Sequence, residues 1–306
     1  MKNIRSITCS AAGAVLIAGM VAGTSPAAAT YPGSNNGRLA FGVDLTNDFA
    51  SPDIYSVLPN GRSVHRLTDH PAADICPSYS ADGKEIAFCS TRSGSSQIWV
   101  MKHNGKQQKQ VTDVAGGAAF PDFSPDGSRI VFMVGAPSVA HIFVLHRATG
   151  EVTQLTHSEG GAFPVYSPDG SRIAFVSGRS GTDQVWVMNA DGTDPVQLTT
   201  DLHQKGQLPD WSPDGTRIAY QSTATGNGDI YVMNSDGTGQ TRLTTSTDAE
   251  IGPAWSPDGR FIAYVRQLGT QLSERAIYVM NADGSDQHFL SRGGRVPAWQ
   301  PSGHRP

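Results

Sequence analysis

Five decapeptides of one design recur along the chain: YSADGKEIAF from Tyr79, FSPDGSRIVF from Phe123, YSPDGSRIAF from Tyr166, WSPDGTRIAY from Trp211 and WSPDGRFIAY from Trp255. A truncated copy, WQPSG, begins at Trp299, and a headless one, NNGRLAF, at Asn35. The Asp-Gly pairs start at Asp82, Asp126, Asp169, Asp214 and Asp258, spaced by 44, 43, 45 and 44 residues. A period of that length points to a propeller or a solenoid before any other architecture.

Each unit carries four short apolar segments. A Pro-x-aromatic opening (PSY, PDF, PVY, PDW, PAW) is followed by an alternating stretch such as RIAFVS. Then come a QVWVMN-type stretch and a short QLT or RLT. All are bounded by turn residues and rich in β-branched and aromatic side chains, so they read as strands. In Ser-Pro-Asp-Gly the proline presets φ and the glycine takes the positive φ that closes a tight hairpin. NADGTD from Asn189 and NSDGTG from Asn234 do the same between the third and fourth strands. Short connections throughout make each unit an antiparallel four-stranded meander. Such units hide their apolar faces only by stacking, and radial stacking gives a propeller.

The strands also count the ring. The chain enters at GRLAFGV, a second-strand sequence, and ends in VPAWQPSG, an opening-strand sequence. Pairing the two gives six of every strand type. The expected fold is therefore all-β: a six-bladed β-propeller of four-stranded antiparallel blades, with the C-terminal strand completing the first blade.

Ahead of the repeats, Lys2 and Arg5 precede the apolar run Ala11 to Gly23, and an A-x-A site lies at Ala27 to Ala29. That order matches a secretory signal peptide, and the run is short for a membrane span. The expected domains are a signal peptide over 1–29 and a single propeller over 30–306. The mature protein is then secreted or otherwise extracytoplasmic, without a transmembrane span. Cys9 leaves with the leader, while Cys76 and Cys89 remain as a pair in an oxidising compartment. If SADGK is the turn, Tyr79 faces Ile86 and Cys76 faces Cys89, so a cross-strand disulfide is expected. Two buried free thiols are the alternative. The net charge of −4 gives no footprint for nucleic acid, and no block of Lys and Arg stands out.

The P-x-[WYF]-S-P-D-G-x-x-I-A-[FY] hairpins, IYVMN-x-DG and RLT resemble the WD40-like propeller repeat of TolB-type periplasmic proteins, over roughly Gly37 to Gly303. The same repeat is similar to propellers attached to prolyl-oligopeptidase-type hydrolases, but the sequence has no G-x-S-x-G elbow to carry that chemistry. The TolB-type resemblance implies docking of a protein in the envelope rather than catalysis.

Recognition is expected on the variable inter-blade loops, since function concentrates on loops held by a rigid scaffold. These loops bring His70, Asp74, Asp113, His157 and Glu159 to one face, together with Asp201, His203, Lys205, Asp248, Glu250, Arg292 and Arg295. A solvated rim is the plain reading. The functional reading is a mixed-charge surface that a monomer uses to hold a protein or cell-envelope component. His157 with Glu159, and Asp201 with His203, have the residue types to bind a transition metal, and carboxylates near the axis suit calcium. Paired loop carboxylates also leave open a carbohydrate-active hydrolase or lyase. The irregular connections Asp44 to Asp53 and Arg266 to Ala276 mark a recognition patch beside the closure.

Overall fold

A computed structural model describes residues 36–43, 51–200, 207–271 and 274–302 of the chain. The expected signal peptide, Asp201, His203 and Lys205, and most of the Asp44 to Asp53 connection lie outside these residues.

Six four-stranded antiparallel sheets form the ring. Blade 1 holds β1 (Asn36–Val43), β2 (Asp53–Val57) and β3 (His65–Arg66), and blade 2 holds β4 (Asp74–Tyr79), β5 (Glu85–Ser90), β6 (Gln97–Lys102) and β7 (Lys109–Gln110). Blade 3 is β8 (Ala118–Phe123), β9 (Arg129–Val134), β10 (His141–His146) and β11 (Val152–Gln154), with a short 3-10 turn at Pro137–Val139. Blade 4 is β12 (Ala162–Tyr166), β13 (Arg172–Ser177), β14 (Gln184–Asn189) and β15 (Val196–Gln197). Blade 5 is β16 (Gln207–Trp211), β17 (Arg217–Ser222), β18 (Asp229–Asn234) and β19 (Thr241–Arg242). Blade 6 is β20 (Ala249–Trp255), β21 (Phe261–Gln267), β22 (Arg275–Asn281) and β23 (His288–Arg292). The last strand, β24 (Arg295–Pro301), pairs with β1, setting Leu39 opposite Trp299 and Ala40 opposite Ala298. The expected closure is therefore the observed one.

The core lies between blades. Val131, Ile142 and Val144 of blade 3 meet Tyr166, Ile173, Phe175 and Met188 of blade 4, and the same pattern joins the other neighbours. Removing these faces from water contributes roughly 25 cal/mol per Å² of apolar area. Within blades, the threonine of each QLT, RLT or (in blade 2) QVT fixes the third strand. Thr112 Oγ1 accepts the Ile98 N–H at 2.8 Å and donates to Gln97 Oε1 at 2.9 Å. Between blades, arginines from second strands cap the next blade's opening aromatic: Arg172 stands 4.9 Å over Trp211 and Arg217 stands 4.6 Å over Trp255.

One feature escapes the simple meander. In all six inner strands the ladder slips by a residue just before the Pro-x-aromatic. The residue ahead of each proline takes a positive φ: Cys76 53°, Phe120 52°, Phe163 53°, Leu208 51° and Val296 36°, with Gly252 at 60° in blade 6. This is a β-bulge, and proline fits it because a bulge frees one strand position from donating to the ladder. Its first consequence is a correction. Tyr79 does face Ile86, but the bulge places Ile75, not Cys76, opposite Cys89. Cys76 and Cys89 are two buried free thiols and the expected disulfide is not formed. Cys89 Sγ instead accepts the Phe120 N–H at 3.2 Å, and burial, with the Cys76 thiol hydrogen-bonded beside it, raises the Cys89 thiol well above its ordinary value.

Candidate functional site: the channel and its loop face

The bulges turn one residue of each inner strand toward the ring axis. Ser78, Asp122, Val165, Asp210, Ala254 and Ala298 thereby line a central cavity of about 210 Å³, whose walls include the six prolines. Four of these residues are small or apolar. The two aspartates are the chemistry of the channel.

Asp122 Oδ1 accepts the Ser78 hydroxyl at 2.8 Å and Oδ2 accepts the Tyr166 N–H at 2.9 Å. Asp210 Oδ2 accepts the Trp255 N–H at 2.6 Å. Each carboxylate thus ties its blade to the next. Among the described residues no arginine or lysine pairs with either. Burial pushes Asp122 up to about 6, opposed by hydrogen bonds from Tyr166 and Ser78. Burial pushes Asp210 further, to about 8, helped by the nearby Asp122 charge. The channel therefore holds two enclosed acids whose environment favours the neutral form or a cation beside them.

Sequence reasoning passed over both residues, treating PDF and PDW as strand openings. The signal was present: the middle position of Pro-x-aromatic is Ser, Val or Ala in four blades and Asp in two.

The expected loop residues divide. His70, Asp113, His157, Glu159, Asp248 and Arg292 lie at or near the surface of the inter-blade connections. Asp74 and Glu250 do not: both side chains are fully buried, paired with Arg92 and with Arg266 respectively. Arg92 stacks on Phe88 and Trp99, and Arg266 on Tyr264 and Tyr278, so these pairs belong to the blade edges. Glu159 reaches Arg179 at 3.2 Å while remaining 62% exposed. Arg295 is partly buried at the start of β24, where it adds to the effect of burial in lowering Arg275. Beside the Glu159 pair, the 3-10 turn, Gly160, Gly161 and Ser177 enclose a surface groove of about 640 Å³. Among the described residues no three His, Cys, Asp or Glu side chains converge on a metal-sized site.

A family profile described as the TolB beta propeller domain matches residues 11–113 and 104–301. The chain belongs to this family. A TolB homolog of Chlorobium luteolum is 34% identical over 67 residues, which is 22% of this chain and 15% of that protein. Among solved structures, TolB from Acinetobacter baumannii superposes with a TM-score of 0.78 at 24% identity, covering 89% of this chain and 68% of its own. A putative TolB from Agrobacterium tumefaciens superposes at 0.68 with 21% identity, covering 86% and 92%. At such identities the structural matches establish the fold of this TolB-type propeller. Its channel acids and its rim are features of its own sequence.

Proposed function

We propose that this TolB-type propeller is an extracytoplasmic, non-catalytic binding module. It works as a monomer and holds a segment of a protein or cell-envelope component at the loop-face mouth of its channel. The observation that carries this reading is the pair Asp122 and Asp210, enclosed in the channel with no cationic partner among the described residues. A basic side chain of the partner entering beside them gains charge-assisted hydrogen bonds in a shielded setting. The bulge residues Phe120, Phe163, Leu208 and Val296 form an apolar collar on the loop side of these acids. Exposed Glu159, His157 and Asp113, with half-buried Asp248, supply a polar rim around that collar, the usual anatomy of a recognition surface. The basic start, apolar run and A-x-A site support export, as does the TolB-type family.

The test is affinity capture from envelope and culture fractions, with calcium and again with chelator. The wild type is compared with an Asp122→Asn/Asp210→Asn double variant of equal thermal stability. A stoichiometric partner held by the wild type and lost by the variant is the expected result. Equal retention by both proteins, or no partner for either, overturns the assignment to the channel.

A further inference from the structure

The hairpins between third and fourth strands of blades 1, 2, 4, 5 and 6 share one backbone and differ in charge. In blades 4, 5 and 6 they read Asn189–Asp194, Asn234–Gly239 and Asn281–Asp286. An aspartate closes each turn: Asp191 Oδ1 accepts the Thr193 N–H at 3.0 Å, Asp236 that of Thr238 at 2.9 Å, and Asp283 that of Ser285 at 2.9 Å. In blades 1 and 2 a neutral asparagine does the same work. Asn60 Oδ1 accepts the Arg62 N–H at 3.0 Å, and Asn104 Oδ1 accepts the Lys106 N–H at 3.2 Å. The left-handed residue that follows is equivalent too: φ is 54° at Ser63, 57° at Gln107, 52° at Asp194 and 53° at Asp286. In these five blades the turn therefore takes a carbonyl-type acceptor, charged or neutral, and is indifferent to the charge around it; in blade 3 the Thr149 hydroxyl accepts the Glu151 N–H instead.

The charge is nevertheless segregated. On blades 4 to 6 these hairpins carry Asp191, Asp194, Asp236, Asp283 and Asp286. On blade 2 the stretch is KHNGKQQK, Lys102 to Lys109, and blade 1 adds Arg62. Lys84 joins them from the neighbouring turn, its carbonyl accepting the His103 N–H at 2.9 Å. Four of the six lysines in the chain thus sit on one blade of an acidic protein. Among the described residues Lys102, Lys106 and Lys109 have no ion-pair partner, and Lys84, though 3.1 Å from Asp82, is 69% exposed. Glu85, the nearby acid on β5, is taken by Arg147 at 2.8 Å. Internal pairing leaves this cationic rim largely uncompensated.

We propose that the blade-2 rim is an electrostatic docking site for an anionic phospholipid bilayer, which the disc meets edge-on with its acidic blades turned away. The residue types favour this partner. KHNGKQQK contains no apolar side chain, whereas a protein interface needs a desolvated apolar centre. Lysine is a hydrated point charge suited to a diffuse array of phosphates, without the planar fork that arginine offers a single carboxylate. Clusters of four or more such cations bind anionic membranes through a screened, additive attraction. The channel acids face the axis and take no part, so the rim operates whether or not the channel reading holds.

Sedimentation with vesicles tests this. The full chain is mixed with phosphatidylcholine vesicles and with vesicles containing about 30% phosphatidylglycerol. Preferential binding to the anionic vesicles is expected, with at least a ~10-fold loss in partitioning for K102Q/K106Q/K109Q. It should also be lost near 1 M salt, where the Debye length is about 3 Å. D191N/D236N/D283N, which keeps the turn acceptors, should bind no less than wild type. Matching thermal unfolding confirms that the lysine variant is folded. Equal binding to both vesicle types, or equal binding by wild type and lysine variant, overturns the proposal. Retention on an acidic peptide or a nucleic acid without vesicle binding also overturns it and reassigns the rim.

Discussion

Asp210 of blade 5 accepts the backbone N–H of Trp255 in blade 6 at 2.6 Å, and does so inside the channel with no cation beside it among the described residues. A carboxyl raised to about 8 in the folded protein binds its proton more tightly than the unfolded chain does. Its contribution to stability is complete below the ordinary aspartate value of 3.8 and is lost as pH rises toward about 8. Asp122, at about 6, adds to the same decline over a narrower span. The expected outcome is a stability that falls from mildly acidic to alkaline pH, with a visibly flatter profile in Asp210→Asn. Urea midpoints across that range are the measurement, and identical slopes for the two proteins would contradict the assignment.

The hairpin-turn aspartates act with the opposite sign. Asp82, Asp126 and Asp169 are held near 2, chiefly by the hydroxyls of Ser80, Ser124 and Ser167. Their contribution is present above the ordinary carboxylate range and is lost as pH falls toward 2. Replacing Ser124 and Ser167 by alanine should move the acid unfolding midpoint upward, as read by circular dichroism.

Two acids on the loop side should respond very differently to truncation. Asp74→Ala leaves the nearly buried Arg92 guanidinium without its carboxylate, and removing one member of such a pair typically costs about 3–5 kcal/mol. Glu159→Ala removes a partner that is itself exposed and leaves Arg179 its bonds to Ser177 and Gly160, so it should cost only about 1 kcal/mol. Chemical denaturation of both variants decides the point, and similar losses would refute the distinction.

Thr112→Val keeps shape but leaves the Ile98 N–H and Gln97 without their buried partner. A cost of about 1–3 kcal/mol is expected. Thr199→Val should behave alike, because Thr199 meets Val185 and Gln184 in the same way.

The repeat made the fold legible. Strand type, turn position and blade count follow from WSPDG, IAY and RLT, because each fragment has one local conformation and one apolar face. Asp122 and Asp210 were hidden for the converse reason. A strict alternation through PDF and PDW gives no cause to turn the middle residue inward, and the bulge that does so shows only as a backbone angle at Phe120 and Leu208. The same slip defeats the Cys76–Cys89 register. Asp74 and Glu250 look like loop acids in sequence, because their arginine partners Arg92 and Arg266 come from the next strand or just beyond it. The basic rim was present as letters in KHNGKQQK, but its meaning needs the six hairpins laid side by side.

Blade 1 is finished by β24, whose Trp299 donates to Ala254 O at 3.2 Å and whose Gln300 donates to Gly83 O at 2.8 Å. Its first strand to emerge during synthesis therefore lacks an inner neighbour until nearly the last residues appear. The nascent chain can fold blades 2 to 6 in order but has no closed ring to complete early. Locking of the whole ring therefore waits on the pairing of β24 with β1.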